Sequence, residues 1–366
     1  MLGVVLSPAA VPDAVAARLQ EFLRRMRAES SEYGPDALAL VDAAADTLIG
    51  GKRLRARFCH AGWASVARMT DPYATEDVAL WDLCAALEIF QSAALVHDDL
   101  IDNSDTRRGR PAAHRALEAS HRESGWSGDP EGFGRSAAIL LGDLLVAWSD
   151  DLLESALAAH PHAAGVRAEY ARMRRDVTVG QFLDIAEESA WSVADDATHA
   201  ERALRVASLK SARYSIMQPL VLGAALAGGD DDQLDALRRF GHPIGMAFQL
   251  RDDVLGVFGD EAETGKPAGD DLREGKRTVL VAFTRERLAA DERRALDALL
   301  GDPLLDESRV TSVRTTMHET GALARVEELI ASYADEAESA LAGTRLDGTA
   351  MQGLRDLARA ATVRTA

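Results

Sequence analysis

Asp98 and Asp102 stand four residues apart in LVHDDLIDNSDTRRGRP, Leu95 to Pro111, at the end of the apolar run LEIFQSAALV. On a helix that spacing puts both carboxylates on one face, where like charges repel unless a cation lies between them. A second acidic pair, Asp252 and Asp253, follows another apolar run in MAFQLRDDVLGVFGD. Two oxygen-only clusters on core helices suit Mg2+, which demands octahedral oxygen ligation and is held by one or two carboxylates together with phosphates. Phosphate in turn needs fixed cations, arginine as a bidentate fork and lysine as a point charge. The chain has them beside both clusters: Arg107 and Arg108 after the first, Arg251, Lys266 and Lys276 around the second. Lys52, Arg53 and Arg55 follow Gly50-Gly51, where bare backbone can approach an anion. Lys210 interrupts an apolar helix, a costly place for a lysine unless an anion meets it. Acid and base are both arranged around a diphosphate, the acid through magnesium and the base directly.

Helices must position these groups. Apolar residues recur at spacings of three and four over 13–30, 36–49 and 78–102, and the runs 136–160, 201–226 and 237–260 read as central helices. The tail from 307 reads as three amphipathic helices. Aromatics make up only 5% of 366 residues and Ala and Leu dominate, which favours helix over sheet. SGWSGDPEGFGR (124–135) and AETGKPAGDDLREGK (262–276) are the long irregular stretches, and loops at 124–135 and 261–276 are candidate covers for a site. No linker and no internal repeat divides the chain. The fold class is therefore all-α, a single large helical bundle forming one domain over 1–366, with 1–12 as a frayed tail. A net charge of −18 excludes a broad nucleic-acid footprint. Cys59 and Cys84 read as buried thiols, no apolar run approaches the roughly 20 residues of a membrane span, and the chain reads as soluble and cytoplasmic.

In motif order and spacing the chain resembles the trans-isoprenyl diphosphate synthases, the polyprenyl synthetase family, from about residue 36 to the C-terminus, and most of all a geranylgeranyl diphosphate synthase. The resemblance rests on GGKRLR (50–55), EIFQSAALVHDDLIDNSDTRRGRPAAH (88–114), GD (142–143), GQFLD (180–184), LKSARY (209–214) and FQLRDDVLGVFGDEAETGKPAGDDLREGKRT (248–278). It implies an all-α bundle around a deep central cavity, usually a homodimer. Asp98 and Asp102 would bridge two Mg2+ ions and Asp252 would ligate a third, all touching an allylic diphosphate. Asp99 and Asp253 would act through water or neighbouring side chains. Arg107, Lys210 and Lys266 would clamp that diphosphate. Lys52, Arg55 and Arg108 would hold isopentenyl diphosphate, with Gln91 where many members carry His. Ser211 stands where Thr is usual, Gln249 faces the reacting carbons, and Lys276 belongs to the better of the two covers. Two departures stand out: the second acidic motif reads DDVLG, so Gly256 lacks its last carboxylate, and Ala56 replaces a customary proline with an effect expected on helix geometry alone.

The chemistry implied is loss of diphosphate from the allylic substrate, attack by the double bond of isopentenyl diphosphate, and loss of a proton. Ala93 and Ala94 precede Asp98 by about a turn, and a turn of helix is about 5.4 Å, close to one isoprene unit. Small side chains there leave a tunnel open, with Phe90 a turn deeper as its floor, and a geranylgeranyl-length product is expected. Close helix packing explains the alanines equally well. His97 reads as a packing or hydrogen-bonding residue, since nitrogen ligands suit zinc more than magnesium. Asp143, Gln181 and Asp184 are placed near the cavity or in helix contacts. A terpene cyclase would use the same metal chemistry, but has no use for the cations Lys52, Arg55 and Arg108. A non-catalytic partner subunit would have lost an acidic motif.

Overall fold

The acid-bearing run at 78–101 forms a helix for local reasons. A computed structural model describes residues 10–259 and 269–362. In it α4 (Val78–Ile101) is capped by Asp77, whose carboxylate accepts the Leu80 N–H at 2.9 Å. Leu80, Leu83, Leu87 and Phe90 bury one stripe of it. By length and composition this helix could cross a membrane, against the reading that no run is long enough. However, 67% of its apolar window is buried inside the fold, the pattern of a core helix.

Before it come α1 (Val11–Glu29), α2 (Pro35–Thr47) and α3 (Leu54–Thr70). After it two short antiparallel strands, β1 (Thr106–Arg107) and β2 (Arg110–Pro111), form the turn that carries Arg107 and Arg108. Then follow α5 (Ala113–Glu123), α6 (Pro130–Leu157), α7 (Ala163–Ala190) and α8 (His199–Val206). A π-helical segment (Ala207–Met217) leads without a break into α9 (Gln218–Leu226), and α10 (Asp231–Phe258) comes next. Beyond 269 lie α11 (Asp270–Glu274), α12 (Val279–Arg287), α13 (Ala290–Asp297), α14 (Glu307–Glu319), α15 (Ala322–Ala340) and α16 (Gly348–Thr362). The last three are the amphipathic helices expected from 307 onward.

The boundaries correct the sequence reading in three places. Val11 and Pro12 open α1, with Val11 buried, so these two do not belong to the expected frayed tail of 1–12, whose residues 1–9 lie outside the described residues. Asp129 accepts the Glu131 N–H at 3.1 Å and starts α6 at Pro130, so the second half of the supposed loop 124–135 is helix. The run 201–226 is helical but not uniformly α.

A π-helix makes i→i+5 bonds and is wider than an α-helix, and eleven residues of it is long for a form usually seen as single turns. Its neighbours make room. A Cβ on Gly245 of α10 would lie 2.3 Å from the Ala212 carbonyl oxygen, and one on Gly180 of α7 would lie 2.4 Å from the Lys210 nitrogen. Glycine at both contacts lets α7 and α10 close on the wide segment, while α4 packs along α6 and α3 along α9.

Candidate active site

The start of α3 shows how the cations are held. Gly50 and Gly51 turn the chain at positive φ, and a Cβ on Gly51 would lie 2.9 Å from Arg108 Nη2. Arg108 lies across that bare turn and donates to the Ile49 carbonyl at 3.2 Å. Burial, helped by Arg53, lowers its pKa. Arg53, read with Lys52 and Arg55 as a cation near an anion, lines the same cavity as they do, and it donates to the Leu48 carbonyl at 2.5 Å and faces Glu88 at 3.5 Å. Glu88 is buried on α4 and accepts the Ala56 N–H at 3.1 Å. A carboxylate from the neighbouring helix thus caps α3. Ala56 therefore does more than set helix geometry: a proline there has no N–H to give.

Lys52, Arg55, Arg108, Gln91, Asp98, Arg107, Lys210, Ser211, Gln249, Asp252 and Lys276 all line one cavity of about 1100 Å³. Asp98 on α4 and Asp252 on α10 face the same space. Lys210 Nζ donates to Asp184 at 2.6 Å and stands 3.2 Å from Asp98 Oδ1. That buried Asp98 oxygen has a charge contact but no hydrogen bond of good geometry. Arg107 donates through Nε to Asp99 Oδ1 at 2.8 Å and lies 3.6 Å from Asp98. Burial opposes the charge on Asp98, yet Lys210, Arg107 and Lys276 outweigh it and hold its pKa below the ordinary value. Asp102, at the C-cap of α4, is not part of the cavity wall. Burial first, then the neighbouring Asp98 charge, push its pKa up to about 7. Asp253 accepts from Gln249 Nε2 at 2.7 Å, and burial followed by Asp271 raises its pKa to about 8. Lys276 meets Asp271 at 3.1 Å and Glu274 at 2.5 Å. Burial works against its charge, and those two carboxylates more than restore it.

Other expectations are corrected or located. Arg251 is not a cation of the site: both its terminal nitrogens pair with Glu327, at 2.5 and 2.6 Å. Lys266 lies outside the described residues. Ala94 lines the cavity, whereas Ala93 is buried in the core and Phe90 packs edge-on against Tyr214, 5.8 Å between ring centroids. Tyr214 and Phe248 are the aromatic rings on the wall among the described residues. Gln181 and Asp184 also line it, but Asp143 does not. His97 packs against Gly142, with Nε2 3.3 Å from the Ile139 carbonyl, as the packing reading expects. Among the described residues no three His, Cys, Asp or Glu side chains converge tightly enough to enclose a metal by themselves.

Residues 39–317 match the polyprenyl synthetase family model. The chain belongs to that family. It is 31% identical over 265 residues to a geranylgeranyl diphosphate synthase of Sulfolobus acidocaldarius, 72% of each chain being covered. It is 33% identical over 337 residues to heptaprenyl diphosphate synthase component 2 of Geobacillus stearothermophilus, covering 91% of each. A solved structure of geranylgeranyl pyrophosphate synthase from Corynebacterium glutamicum, complexed with isoprenyl diphosphate and magnesium, matches with a TM-score of 0.91. It is 39% identical, covering 98% of this chain and 100% of that one. The resemblance read from the motifs and the all-α isoprenoid-synthase fold are thus both correct.

Sequence reasoning passed over Tyr214 and Asp271. Tyr214 on the π segment donates to Gln91 Oε1 at 2.8 Å and carries the Arg55 guanidinium 4.2 Å above its ring. The last letter of LKSARY was its only signal. Asp271 stood in plain view in GDDLREGK, but nothing local tells which of two adjacent acids turns inward.

Proposed function

We propose that this chain is a single polyprenyl synthetase domain that condenses isopentenyl diphosphate with an allylic diphosphate, using Mg2+, to an all-trans product of geranylgeranyl length. The observation that carries the reading is the pair Asp98 and Asp252, from different helices, on the wall of one cavity that also gathers two groups of cations. The donor set fits the metal: the acids offer oxygen alone, the buried Asp98 oxygen lacks a hydrogen bond, and magnesium takes the remainder of its shell from phosphates and water. Asp98, Asp102 and Asp252 would hold up to three ions. When bound, magnesium would neutralise the diphosphate oxygens as charge develops on them.

The chain's own residues would do the rest. Lys210 and Arg107, with Lys266, would bind the allylic diphosphate. Lys52, Arg55 and Arg108 would take the second diphosphate, and Gln91 would fix Tyr214 beneath Arg55. Ser211 and Gln249 would line the reacting end, and Lys276 would close the metal side. Ala94, Leu95, Val177 and Phe248 are apolar wall that excludes water from a carbocation. The departing diphosphate is itself the acceptor for the proton lost at the end.

Product length is the finer part of the proposal, because relatives making longer chains share the family. It is supported by the small Ala94 on the wall and by the geranylgeranyl synthases among the relatives. A homodimer and a cytoplasmic location belong to the same reading. Purified chain given isopentenyl diphosphate, Mg2+ and dimethylallyl, geranyl or farnesyl diphosphate should yield geranylgeranyl diphosphate by mass spectrometry. Arrest at farnesyl would remove the length, and no metal-dependent condensation would remove the function. Ala94→Phe should shorten the product, and an unchanged product would discard the tunnel. Ala93→Phe is the poorer test, since it would overpack the core instead.

A further inference from the structure

The last two turns of α10 carry Asp252 and Asp253, and the sequence winds them weakly. Gly256 stands inside the helix and Gly259 follows its end, and glycine is a poor helix former. Two side chains from later helices bracket this stretch. Glu327 of α15 accepts from both terminal nitrogens of Arg251, at 2.5 and 2.6 Å, and only 15% of the Arg251 side chain is exposed. Such a two-pronged pair fixes direction as well as distance. Arg314 of α14 donates through Nε to the Val257 carbonyl at 2.7 Å, and its guanidinium lies 6.0 Å from the centre of the Phe258 ring. The last carbonyls of a helix have no partner within it, so Arg314 serves as a cap. α15 packs along α10, and Glu327 lies beyond the span 39–317 that matches the family model.

We infer that Glu327 is a positioning residue for the second acidic motif, acting through Arg251. Adjacent residues on a helix point about 100° apart, so a fork that holds Arg251 toward α15 also sets the direction of Asp252. Asp252 lines the cavity and Arg251 does not. Arg314 holds the far end of the same turns, and Gly256 is pinned between the two anchors. The inference rests on the magnesium–diphosphate reading above, since what Glu327 serves is the ion assigned to Asp252. Neither Glu327 nor Arg314 lies on the cavity wall, so both act at a distance from that ion.

The probe is Mn2+ titrated in the presence of inorganic pyrophosphate and followed by calorimetry, with metal-free melting curves alongside. Asp252→Ala marks the part of the uptake that belongs to Asp252. Glu327→Ala should weaken that same part about tenfold, the lower end of the cost of removing a group that orients a metal ligand, and leave the remainder as it was. Added to Asp252→Ala it should weaken uptake no further, because residues that act through one ligand are not additive. Glu327→Gln keeps the side chain's shape and repeats the cycle if the alanine variant does not fold. A pair that serves the fold alone would lower the melting point and leave uptake intact, or would subtract equally with Asp252 present and absent. Either result would overturn the inference. An unaltered chain that takes up no Mn2+ with pyrophosphate, or an Asp252→Ala variant no weaker than it, would fell the functional reading instead.

Discussion

Two acids a helical turn apart are shifted in opposite directions. Lys210 and Arg107 keep Asp98 ionised against its burial, whereas Asp102, buried and beside that charge, is pushed up to about 7. Metal ligation needs the carboxylate, so if Asp102 holds magnesium as proposed, a proton must leave it below about pH 7 as the ion enters. Apparent Mg2+ affinity, read from the metal dependence of condensation, should fall toward about tenfold per pH unit below pH 7 and level off above it. Asp102→Asn should flatten that dependence. Stability runs the other way without metal. A carboxyl whose folded pKa is raised binds a proton that the unfolded chain has released, so the metal-free protein loses stability as pH rises from about 4 to 7. Asp253 extends the loss to about 8. Residue types and spacings made most of this cavity legible in the sequence, because acid and cation motifs are local. Arg251 was misplaced because its neighbour Asp252 faces the cavity, and adjacent helical residues point about 100° apart. Its own direction leads to Glu327.

At the scale of elements, periodicity revealed the rods but not their winding. The run 201–226 is apolar on most faces, so no stripe separates α from wider π turns, and the segment carrying Lys210, Ser211 and Tyr214 was invisible. Gly245 and Gly180 were its only trace, and a glycine says what is near it only once the partner is known. The Glu88 cap on α3 was hidden for the same reason, since it joins residues 32 apart in sequence. Gly245→Val would drive a side chain into the Ala212 carbonyl. It should cost about 1–3 kcal/mol, seen as a lower melting temperature, and should weaken diphosphate binding because Lys210 rides on the displaced segment. Normal binding in a destabilised protein would show that the π winding matters to the fold and not to the site.

For the whole molecule, exposed apolar side chains offer a face for the proposed homodimer. Ile139 and Leu140 on α6, and Val179, Phe182 and Ile185 at three-residue spacing on α7, are exposed, Phe182 at 66%. Isolated exposed apolar residues are common, but a row of them along one helix is a candidate interface. Light scattering should give twice the chain mass, and Phe182→Asp should shift it toward the monomer. A monomer from the unaltered chain would end the homodimer proposal. Tyr214 ties the two ends of the molecule's task together. Its ring backs onto Phe90 at the apolar end, and its other neighbours are Arg55 and Gln91. On the proposed function, one side chain would then touch both the length of the chain and the grip on the incoming unit, so trimming Tyr214 to lengthen the product should also loosen the hold on each added unit.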